Sequence, residues 1–363
     1  MKLFGIELIN FRCFAEKNFN FGDNLNIIFG PNAVGKTSLL EAVHVLGLTK
    51  SNRTNNDQDM IQNGKDYFLV KGFFNKGEIS DTVLVCYSGK GKQVKRNNEI
   101  FRSLGEYIGF FNAVSFAPSD LITFFGASSK RRREFDMAFC QLSKQFLYWS
   151  TIYNRLLKER NVLLKTLSFD DNVKTKKLLE VIDQRLIEAG ERVIQDRQRY
   201  LKQLNLILKR IHKQIAEQEE LKINYHASCS LGNYDKSLKA NFENDIKRGS
   251  TSVGPHRDNF VLTINDKDLC VYGSQGQQRN AVLSIKLALV ELIYQTKGEY
   301  PILLLDDVFS ELDKIRQNQL IKTLNKYVQT IITTATLSDI DKGLVNQAKL
   351  IELKEGGGYR DAK

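Results

Sequence analysis

Glycine, lysine and threonine stand at the spacing Gly-x-x-x-x-Gly-Lys-Thr between Gly30 and Thr37. Backbone N–H groups of such a loop, together with the N-terminus of a following helix, can cradle a chain of phosphates. Lys36 would reach the outer phosphates, and the Thr37 hydroxyl would ligate Mg²⁺. The residues predicted to contact a nucleoside triphosphate are Gly30, Pro31, Asn32, Ala33, Val34, Gly35, Lys36, Thr37 and Ser38.

The residues on both sides of this loop predict the elements that must position it. Leu25–Phe29 is a short apolar run bounded by polar residues and glycine, which is typical of a buried strand. Residues 37–46 place leucine and valine side chains on one helical face. Because the motif requires a strand, a glycine-rich loop and a helix in this order, the context favours a phosphate-binding loop over a chance match.

Two adjacent carboxylates follow a second apolar run, since residues 301–307 read Pro-Ile-Leu-Leu-Leu-Asp-Asp. The run predicts a central parallel strand that ends in acids. Asp306 would hold Mg²⁺ through its water shell. Asp307 would orient or deprotonate the attacking water, so we predict Asp307 and Lys36 as catalytic residues. The alternative is a strand end with two solvated acids.

A polar motif far along the chain predicts a second anion-binding site. Its residues are Ser274, Gln275, Gly276, Gln277, Gln278 and Arg279, and they stand just before a predicted helix. A serine hydroxyl, a glycine N–H and a helix N-terminus suit a phosphate. No lysine or metal-binding acid stands beside them, so the motif fits a cap that one subunit places on the nucleotide of another. The sequence therefore predicts a homodimer that forms with the nucleotide.

Composition favours an anionic partner, since the 363 residues carry 53 basic and 42 acidic side chains and a formal charge of +11. A generally lysine-rich proteome is the alternative. Lys130, Arg131, Arg132 and Arg133 open a predicted helix, where basic residues oppose the helix dipole, so we expect them to contact DNA phosphates unless they form a solvated face. No apolar run approaches about 20 residues and the N-terminus has no secretory pattern, which predicts a cytoplasmic protein with no membrane partner.

The order of the predicted elements divides the chain. Strands are expected at 68–74, 82–87 and 113–116, and again at 260–264, Leu269–Tyr272 and 328–333. Between them, apolar residues keep helical spacing over 135–167, with Arg160 as the one break, and over 179–211. This spacing predicts an antiparallel hairpin of two long helices, each about 50 Å, or two core helices of a globular lobe. We expect an α/β ATPase domain formed by 1–125 and 250–363, with 126–249 as an inserted helical domain.

The second motif resembles the Leu-Ser-Gly-Gly-Gln signature of the ATP-binding-cassette (ABC) superfamily, with Ser274, Gly276 and Gln277 at matching positions. In that superfamily's terms, 30–37 is the Walker A motif and 302–307 the Walker B motif. The loop after the acids, with Ser310 and Asp313, resembles the loop that crosses the dimer interface. The resemblance implies an ABC-type head with ATP and Mg²⁺ as cofactors, assembled from N- and C-terminal parts around a helical hairpin.

Further segments resemble the RecF family of DNA replication and repair proteins, which is related to the heads of SMC proteins. They are 8–12, Arg53-Thr54 with Asp59 and Gly64, 119–121, 254–258, 273–279 and 305–313. The resemblance implies an ATP-dependent dimer on double-stranded DNA, at gaps or at duplex–single-strand junctions. It also implies action with RecO and RecR in loading the recombinase. Arg12 and Arg53 are expected near the phosphate loop, on either the DNA or the nucleotide.

Several positions depart from the superfamily's pattern. Ala33 replaces a common glycine and is expected to be tolerated at negative φ. Ser119 and Asp120 stand where transporters have a metal-contacting glutamine, no histidine follows 328–333, and Asp307 is shorter than the usual glutamate. These departures favour slow hydrolysis that acts as a switch. Competing classes are a long-armed SMC-like chromosome or break-repair ATPase, a transporter ATPase and a small-molecule kinase.

Overall fold

The computed structural model describes residues 1–77, 79–170, 172–309, 317, 327–354 and 359–362. The chain forms two compact units. Unit 1 contains 1–122, 210–218 and 279–363, and unit 2 contains 123–209 and 219–278. The boundaries of these units differ from those of the predicted domains, which are 1–125 with 250–363 and 126–249. The domain ranges therefore stay a prediction.

A mainly parallel sheet carries the nucleotide motifs in unit 1. Its order is β15-β14-β3-β13-β12-β8, and only the pair β14–β15 is antiparallel. The strands are β3 (Leu25–Phe29), β8 (Ala113–Phe116), β12 (Ile302–Asp306), β13 (Thr330–Thr334), β14 (Lys349–Leu353) and β15 (Tyr359–Ala362). Continuous apolar runs such as Ile-Leu-Leu-Leu in β12 suit strands buried on both faces. The strands predicted at Leu25–Phe29, 113–116, 301–307 and 328–333 are confirmed.

An antiparallel sheet forms the other layer of unit 1, in the order β2-β1-β4-β5-β6-β7. Its strands are β1 (Lys2–Phe11), β2 (Phe14–Asn20), β4 (Tyr67–Lys76), β5 (Ile79–Ser88), β6 (Gly91–Arg96) and β7 (Glu99–Ile100). Helix α1 (Lys36–Leu48) shares one hydrophobic core with both sheets, and its residues 39–48 are all buried. A Cβ on Gly72 of β4 would lie 2.6 Å from Leu46 Cδ1, so glycine allows the close approach of helix and sheet.

The described residues of unit 1 also form further helices. They are α2 (Leu104–Tyr107), the start of α3 (Ser119–Phe125), most of α10 (Gln275–Lys297) and α11 (Lys342–Gln347). The helix predicted at the end of the polar motif is thereby confirmed, and it begins inside the motif rather than after it. Among the helices of the described residues, none combines the length and apolarity needed to cross a membrane.

Unit 2 is mainly helical. Its elements are α4 (Ser128–Leu142), α5 (Lys144–Leu167), α6 (Val173–Ile215, which continues into unit 1), β9 (Leu221–His226), α7 (Tyr234–Ala240), α8 (Phe242–Arg248), β10 (Asn259–Ile264), β11 (Lys267–Asp268) and α9 (Leu269–Tyr272). The strands form an antiparallel sheet in the order β11-β10-β9. Strand β9 was not predicted. It precedes residue 250 in the chain and pairs with β10, which follows residue 250.

Helices α5 and α6 pair in opposite directions. Phe146 contacts Tyr200 with ring centroids 6.3 Å apart, and Leu167 shares a buried cluster with Leu179 near the turn. Between these contacts, the fully buried Arg160 pairs with Asp183 at 2.7 Å and with Asp245 at 2.7 Å. The antiparallel hairpin is therefore present, with α6 about 65 Å long at 1.5 Å per residue. Arg160 interrupts the apolar pattern because it forms buried ion pairs at this position of the hairpin.

Two local predictions are wrong. The first long helix is interrupted at Ser143, whose φ of −140° is extended and whose side chain accepts a hydrogen bond from Phe146 N–H to cap α5. The predicted strand Leu269–Tyr272 is the helical turn α9. The Asp268 carboxylate accepts from Cys270 N–H at 2.7 Å and caps this turn, which overrides the β preference of valine and tyrosine.

Candidate nucleotide site

The predicted phosphate loop lies between β3 and α1, and its two glycines are required by their surroundings. Gly30 has φ 147° and Gly35 has φ 107°, a region that favours glycine. A Cβ on Gly30 would lie 2.2 Å from the Leu353 carbonyl oxygen. A Cβ on Gly35 would lie 2.7 Å from Cys13 Sγ and 2.8 Å from the Phe14 ring. Packing around the loop therefore explains both glycines without any ligand.

Ala33 differs from the expectation of negative φ. Its φ is 66°, in the left-handed region, where an L-residue with a Cβ is strained by roughly 1–2 kcal/mol. The negative φ on which the expected tolerance of alanine depends is therefore not present at Ala33. The loop tolerates alanine and bears the strain.

Lys36 begins α1 and turns its ammonium group over the loop. Lys36 Nζ donates to the carbonyl oxygens of Gly30 at 2.6 Å and Pro31 at 2.7 Å. Burial lowers the pKa of Lys36, and the nearby Asp307 and Asp306 carboxylates oppose that shift. The predicted catalytic lysine and both predicted acids thus lie close enough to interact electrostatically.

Asp306 ends β12 beside the hydroxyl predicted to ligate Mg²⁺. Thr37 Oγ1 donates to Asp306 Oδ1 at 3.0 Å, and Thr333 Oγ1 donates to the same oxygen at 2.7 Å. Burial raises the pKa of Asp306, while the hydroxyls of Thr333 and Thr37 act in the opposite direction. Mg²⁺ prefers hard oxygen ligands such as hydroxyl and carboxylate groups. The adjacent oxygens of Thr37 and Asp306 therefore fit the ion.

Asp307 is exposed and has a left-handed backbone, with φ 52°. Its N–H donates to Thr333 Oγ1 at 2.9 Å. Backbone strain of this kind concentrates at functional sites, because the surrounding structure must hold it. Thr333 was not identified as a site residue from the sequence. Its position in a buried apolar strand gave no signal of a polar role.

A buried glutamate behind the loop organises the two arginines expected near it. Glu41 of α1 is 1% exposed. Arg12 donates to both of its oxygens, from Nε at 2.9 Å and from Nη2 at 2.6 Å. Arg53 lies 3.3 Å from the same carboxylate, and the Ser51 hydroxyl also donates to it. Both arginines thus belong to one ion-pair network, and its centre, Glu41, was missed by sequence reasoning.

The signature residues form the first turn of α10 and the residue before it. Ser274 Oγ accepts from Gln277 N–H at 3.2 Å, and Gln277 Oε1 accepts from Ser274 N–H at 3.0 Å. This reciprocal pair is a capping box. Gln277 Nε2 also donates to Glu219, and Gln278 Nε2 donates to the Leu269 carbonyl. Ser274, Gln275 and Gly276 are exposed, so the structure presents this helix N-terminus at the surface of the chain.

Gly276 contrasts with its neighbour Gly273. A Cβ on Gly273 would lie 2.6 Å from the Leu269 carbonyl oxygen. A Cβ on Gly276 would meet only Ser274 Oγ at 4.0 Å, although glycine weakens a helix by about 1 kcal/mol relative to alanine. Within the described residues, packing explains Gly273 and gives no reason for Gly276.

The four predicted DNA-binding residues divide into two groups. Arg131 is buried, where it donates to the Phe124 carbonyl and to Asn259 Oδ1 at 2.8 Å. Arg132 is half-buried and donates to the Asp258 carbonyl at 2.5 Å. Lys130 and Arg133 are exposed. The cluster is therefore not one continuous basic surface, and a role in DNA contact stays a prediction for its exposed members.

The remaining predictions concern residues that follow strands β12 and β8 in the chain. Ser310 and Asp313, predicted at a dimer interface, lie outside the described residues. Asp120, considered as a metal contact, accepts from Ala117 N–H at 2.9 Å and lies 3.3 Å from the buried Lys286 ammonium. These contacts give Asp120 a structural role in the first turn of α3, which follows β8.

The parallel sheet with its phosphate loop and acidic strand, the antiparallel sheet, the helical hairpin and the serine-capped helix together define an ABC-type P-loop ATPase head. A protein-family model described as an AAA domain matches residues 6–227. The DNA replication and repair protein RecF of Oceanobacillus iheyensis is 41% identical over 362 residues, which cover 97% of this chain and 98% of that relative. The chain belongs to the RecF family.

Solved structures agree with this assignment. A structure of the recombination mediator protein RecF with ATP, in the RecFOR pathway, is 32% identical with a TM-score of 0.91, and covers 100% of this chain and 98% of its own. An Smc head domain from Pyrococcus furiosus, in complex with part of ScpA, has a TM-score of 0.56 at 16% identity and covers 99% and 95% of the two chains. That likeness concerns the fold alone.

Proposed function

We propose that this protein is an ATP-dependent DNA-binding protein of recombinational repair and replication, which acts as a dimer clamped by ATP. ATP would lie on the loop from Gly30 to Ser38, with Lys36 on the outer phosphates. Thr37 and Asp306 would hold Mg²⁺, which screens phosphate charge when bound. The proposal is supported by the lysine and the acids that converge at this loop and by the solved RecF structure with ATP, which is 32% identical to this chain.

The observation that carries the dimer is the exposed N-terminus of α10. Ser274, Gln275 and Gly276 are exposed at this helix N-terminus, and packing within the described residues gives no reason for a glycine at 276. A phosphate approaching this helix from a second copy would need that space, and the positive end of the helix dipole would attract it. Ser310 and Asp313 would then line the same interface.

Hydrolysis would be slow and would release the dimer. Asp307 would orient the attacking water, but its short side chain and its strained, exposed position favour a turnover well below about 1 s⁻¹. We propose a weak DNA-dependent ATPase whose energy is used to open the clamp. Because clamping and DNA binding favour the same dimer, ATP and DNA would each strengthen the binding of the other.

DNA would contact exposed basic residues, with Lys130 and Arg133 as candidates. The net charge of +11 favours such a partner. Gapped DNA or a duplex–single-strand junction would be the preferred form, and RecO and RecR would act with the dimer to load the recombinase. The pathway named for the solved relative supports these partners. Such a protein would act in the cytoplasm.

The decisive experiment measures mass in solution by light scattering with ATP and Mg²⁺, with and without duplex DNA. We expect the wild type to shift from monomer to dimer with ATP, and more completely with DNA. Lys36→Met should lose the shift through failure to bind ATP, and Ser274→Arg should bind ATP and stay monomeric. Dimerisation that neither substitution affects would exclude the two half-sites.

A further inference from the structure

Thr333 lies where β13 passes the two predicted site acids. It is the parallel neighbour of Asp306 on β12, and its side chain is buried. Its single hydroxyl contacts both acids, since Oγ1 accepts from Asp307 N–H at 2.9 Å and donates to Asp306 Oδ1 at 2.7 Å. The amide N–H can only donate and an ionised carboxylate can only accept, so the hydroxyl oxygen accepts from Asp307 and its proton points to Asp306. The direction of both hydrogen bonds is therefore determined.

The first bond supports the unusual backbone of Asp307. A residue with φ near 52° is strained, and such conformations persist only when neighbouring groups hold them. The direction of the Asp307 side chain depends on this backbone. Loss of the Thr333 hydroxyl would therefore leave the amide without its acceptor and let the carboxylate turn away from the phosphate loop.

The second bond fixes the orientation of Asp306. The hydroxyls of Thr37 and Thr333 both donate to Oδ1, from opposite neighbouring elements α1 and β13. Oδ2 can then face the water shell of a metal ion held at Thr37. A carboxylate fixed by two hydrogen bonds loses less side-chain freedom when it binds, so pre-organisation strengthens the later interaction.

We infer that Thr333 is a positioning residue that aligns Asp306 toward Mg²⁺ and Asp307 toward the attacking water. This inference rests on the proposed function, and it names the group that orders the acids in a chain with no histidine after β13. The described hydrogen bonds of the Thr333 hydroxyl are with the two aspartates. Thr333 acts through the two aspartates, and one hydroxyl couples the alignment of the metal-binding acid to that of the water-binding acid.

The next residue in the strand offers a matched control. Thr334 is also buried, but its Oγ1 donates to the Thr336 carbonyl at 3.0 Å and contacts neither acid. Thr333→Val and Thr334→Val each replace a buried strand hydroxyl by a methyl group of similar size. Both substitutions should lower stability to a similar extent. Only Thr333→Val should disturb the alignment of Asp306 and Asp307. Thr333→Ser keeps the hydroxyl and should restore the site.

The test measures affinity for a fluorescent ATP analogue across a series of Mg²⁺ concentrations, and dimer mass under the same conditions. Thr333→Val should need about tenfold more Mg²⁺ for half-maximal gain in affinity, because a hydrogen bond to a charged group is lost. Affinity without Mg²⁺ should not change. The Mg²⁺ concentration for half-maximal gain should lie within about threefold of the wild-type value for Thr333→Ser. For Thr334→Val it should equal the wild-type value.

Equal Mg²⁺ dependence of Thr333→Val and Thr334→Val would overturn the inference. If Thr333→Val does not fold, as judged by its circular dichroism and melting, then Thr333→Ala replaces it and the same comparison applies. The behaviour of the wild type distinguishes a failure of the proposed function from a failure of the role assigned to Thr333. A wild type without Mg²⁺-dependent ATP binding or dimerisation would reject the proposed function. A wild type that shows both, alongside an unaffected Thr333→Val, would reject only the role of Thr333.

Discussion

The phosphate loop and the signature turn are both glycine-containing helix N-termini, but the chain builds them differently. In the loop, Gly30 and Gly35 have positive φ and no room for a Cβ. In the signature turn, Gly276 has open space, and Ser274 with Gln277 already forms a capping box. The loop is explained by its own packing, whereas the signature turn has a stable local structure and an unexplained glycine.

This difference separates glycines that the fold requires from a glycine that only association between subunits would require. The loop must fold before it can bind phosphate, so its glycines and its supporting Glu41 network serve stability and binding together. The signature turn folds without its glycine, so substitution there should affect association alone. The comparison therefore predicts which variants lose stability and which lose only the dimer.

The largest expected effect is at Glu41, the buried centre behind the loop. Glu41→Gln would leave Arg12 and Arg53 facing a neutral group and remove the charge from a bidentate pair. We expect the free energy of unfolding to fall by about 3 kcal/mol, as for broken buried ion pairs. Urea denaturation measures it, with Glu7→Gln as a control, because Glu7 lies 3.9 Å from Lys71 in a half-exposed pair. Equal losses in both variants would contradict a special role of the buried network.

The second prediction compares the two glycines directly. Gly35→Ala combines positive φ with a clash against Cys13 and Phe14, so we expect a loss of about 3 kcal/mol in urea denaturation. Gly276→Ala should not lower stability and could raise it by up to about 1 kcal/mol. Its ATP-dependent dimerisation should weaken by more than about tenfold, because the added Cβ would fill the space of the partner's phosphate and hold it away from the helix N–H groups. A Gly276→Ala protein that dimerises normally would place the partner's phosphate elsewhere.

The sequence predicted the parts of the site that a short motif or an apolar run encodes. Strand β12 with its acids, and the loop between β3 and α1, follow from local spacing. Thr333 could not be predicted, because its role depends on the register of β13 beside β12. Arg131 could not be placed either, since its burial depends on Asn259, which is far away in the chain. Helix α9 was missed because a single capping bond from Asp268 outweighs the β preference of Val271 and Tyr272.

The same contrast between buried and exposed groups divides the basic cluster. Arg131→Met removes donors from the Phe124 carbonyl and Asn259, so we expect a loss of about 2 kcal/mol in urea denaturation. Arg133→Met should leave stability unchanged, because the side chain is exposed. If Arg133 contacts a phosphate, its loss should lower the slope of log affinity for duplex DNA against log salt by about 0.9. An unchanged slope would remove Arg133 from the DNA surface.

The smallest expected effect tests the strain in the phosphate loop itself. Ala33→Gly should relieve roughly 1–2 kcal/mol of left-handed backbone strain and add about 0.4–1 kcal/mol of entropy to the unfolded chain. The two effects oppose each other, so we expect a net gain of about 0.5 kcal/mol in the free energy of unfolding. Ala42→Gly, in the buried interior of α1, is the control and should lose at least about 1 kcal/mol. If Ala33→Gly loses as much as the control, then the loop bears no strain at this position. The alanine would then be compatible with the turn.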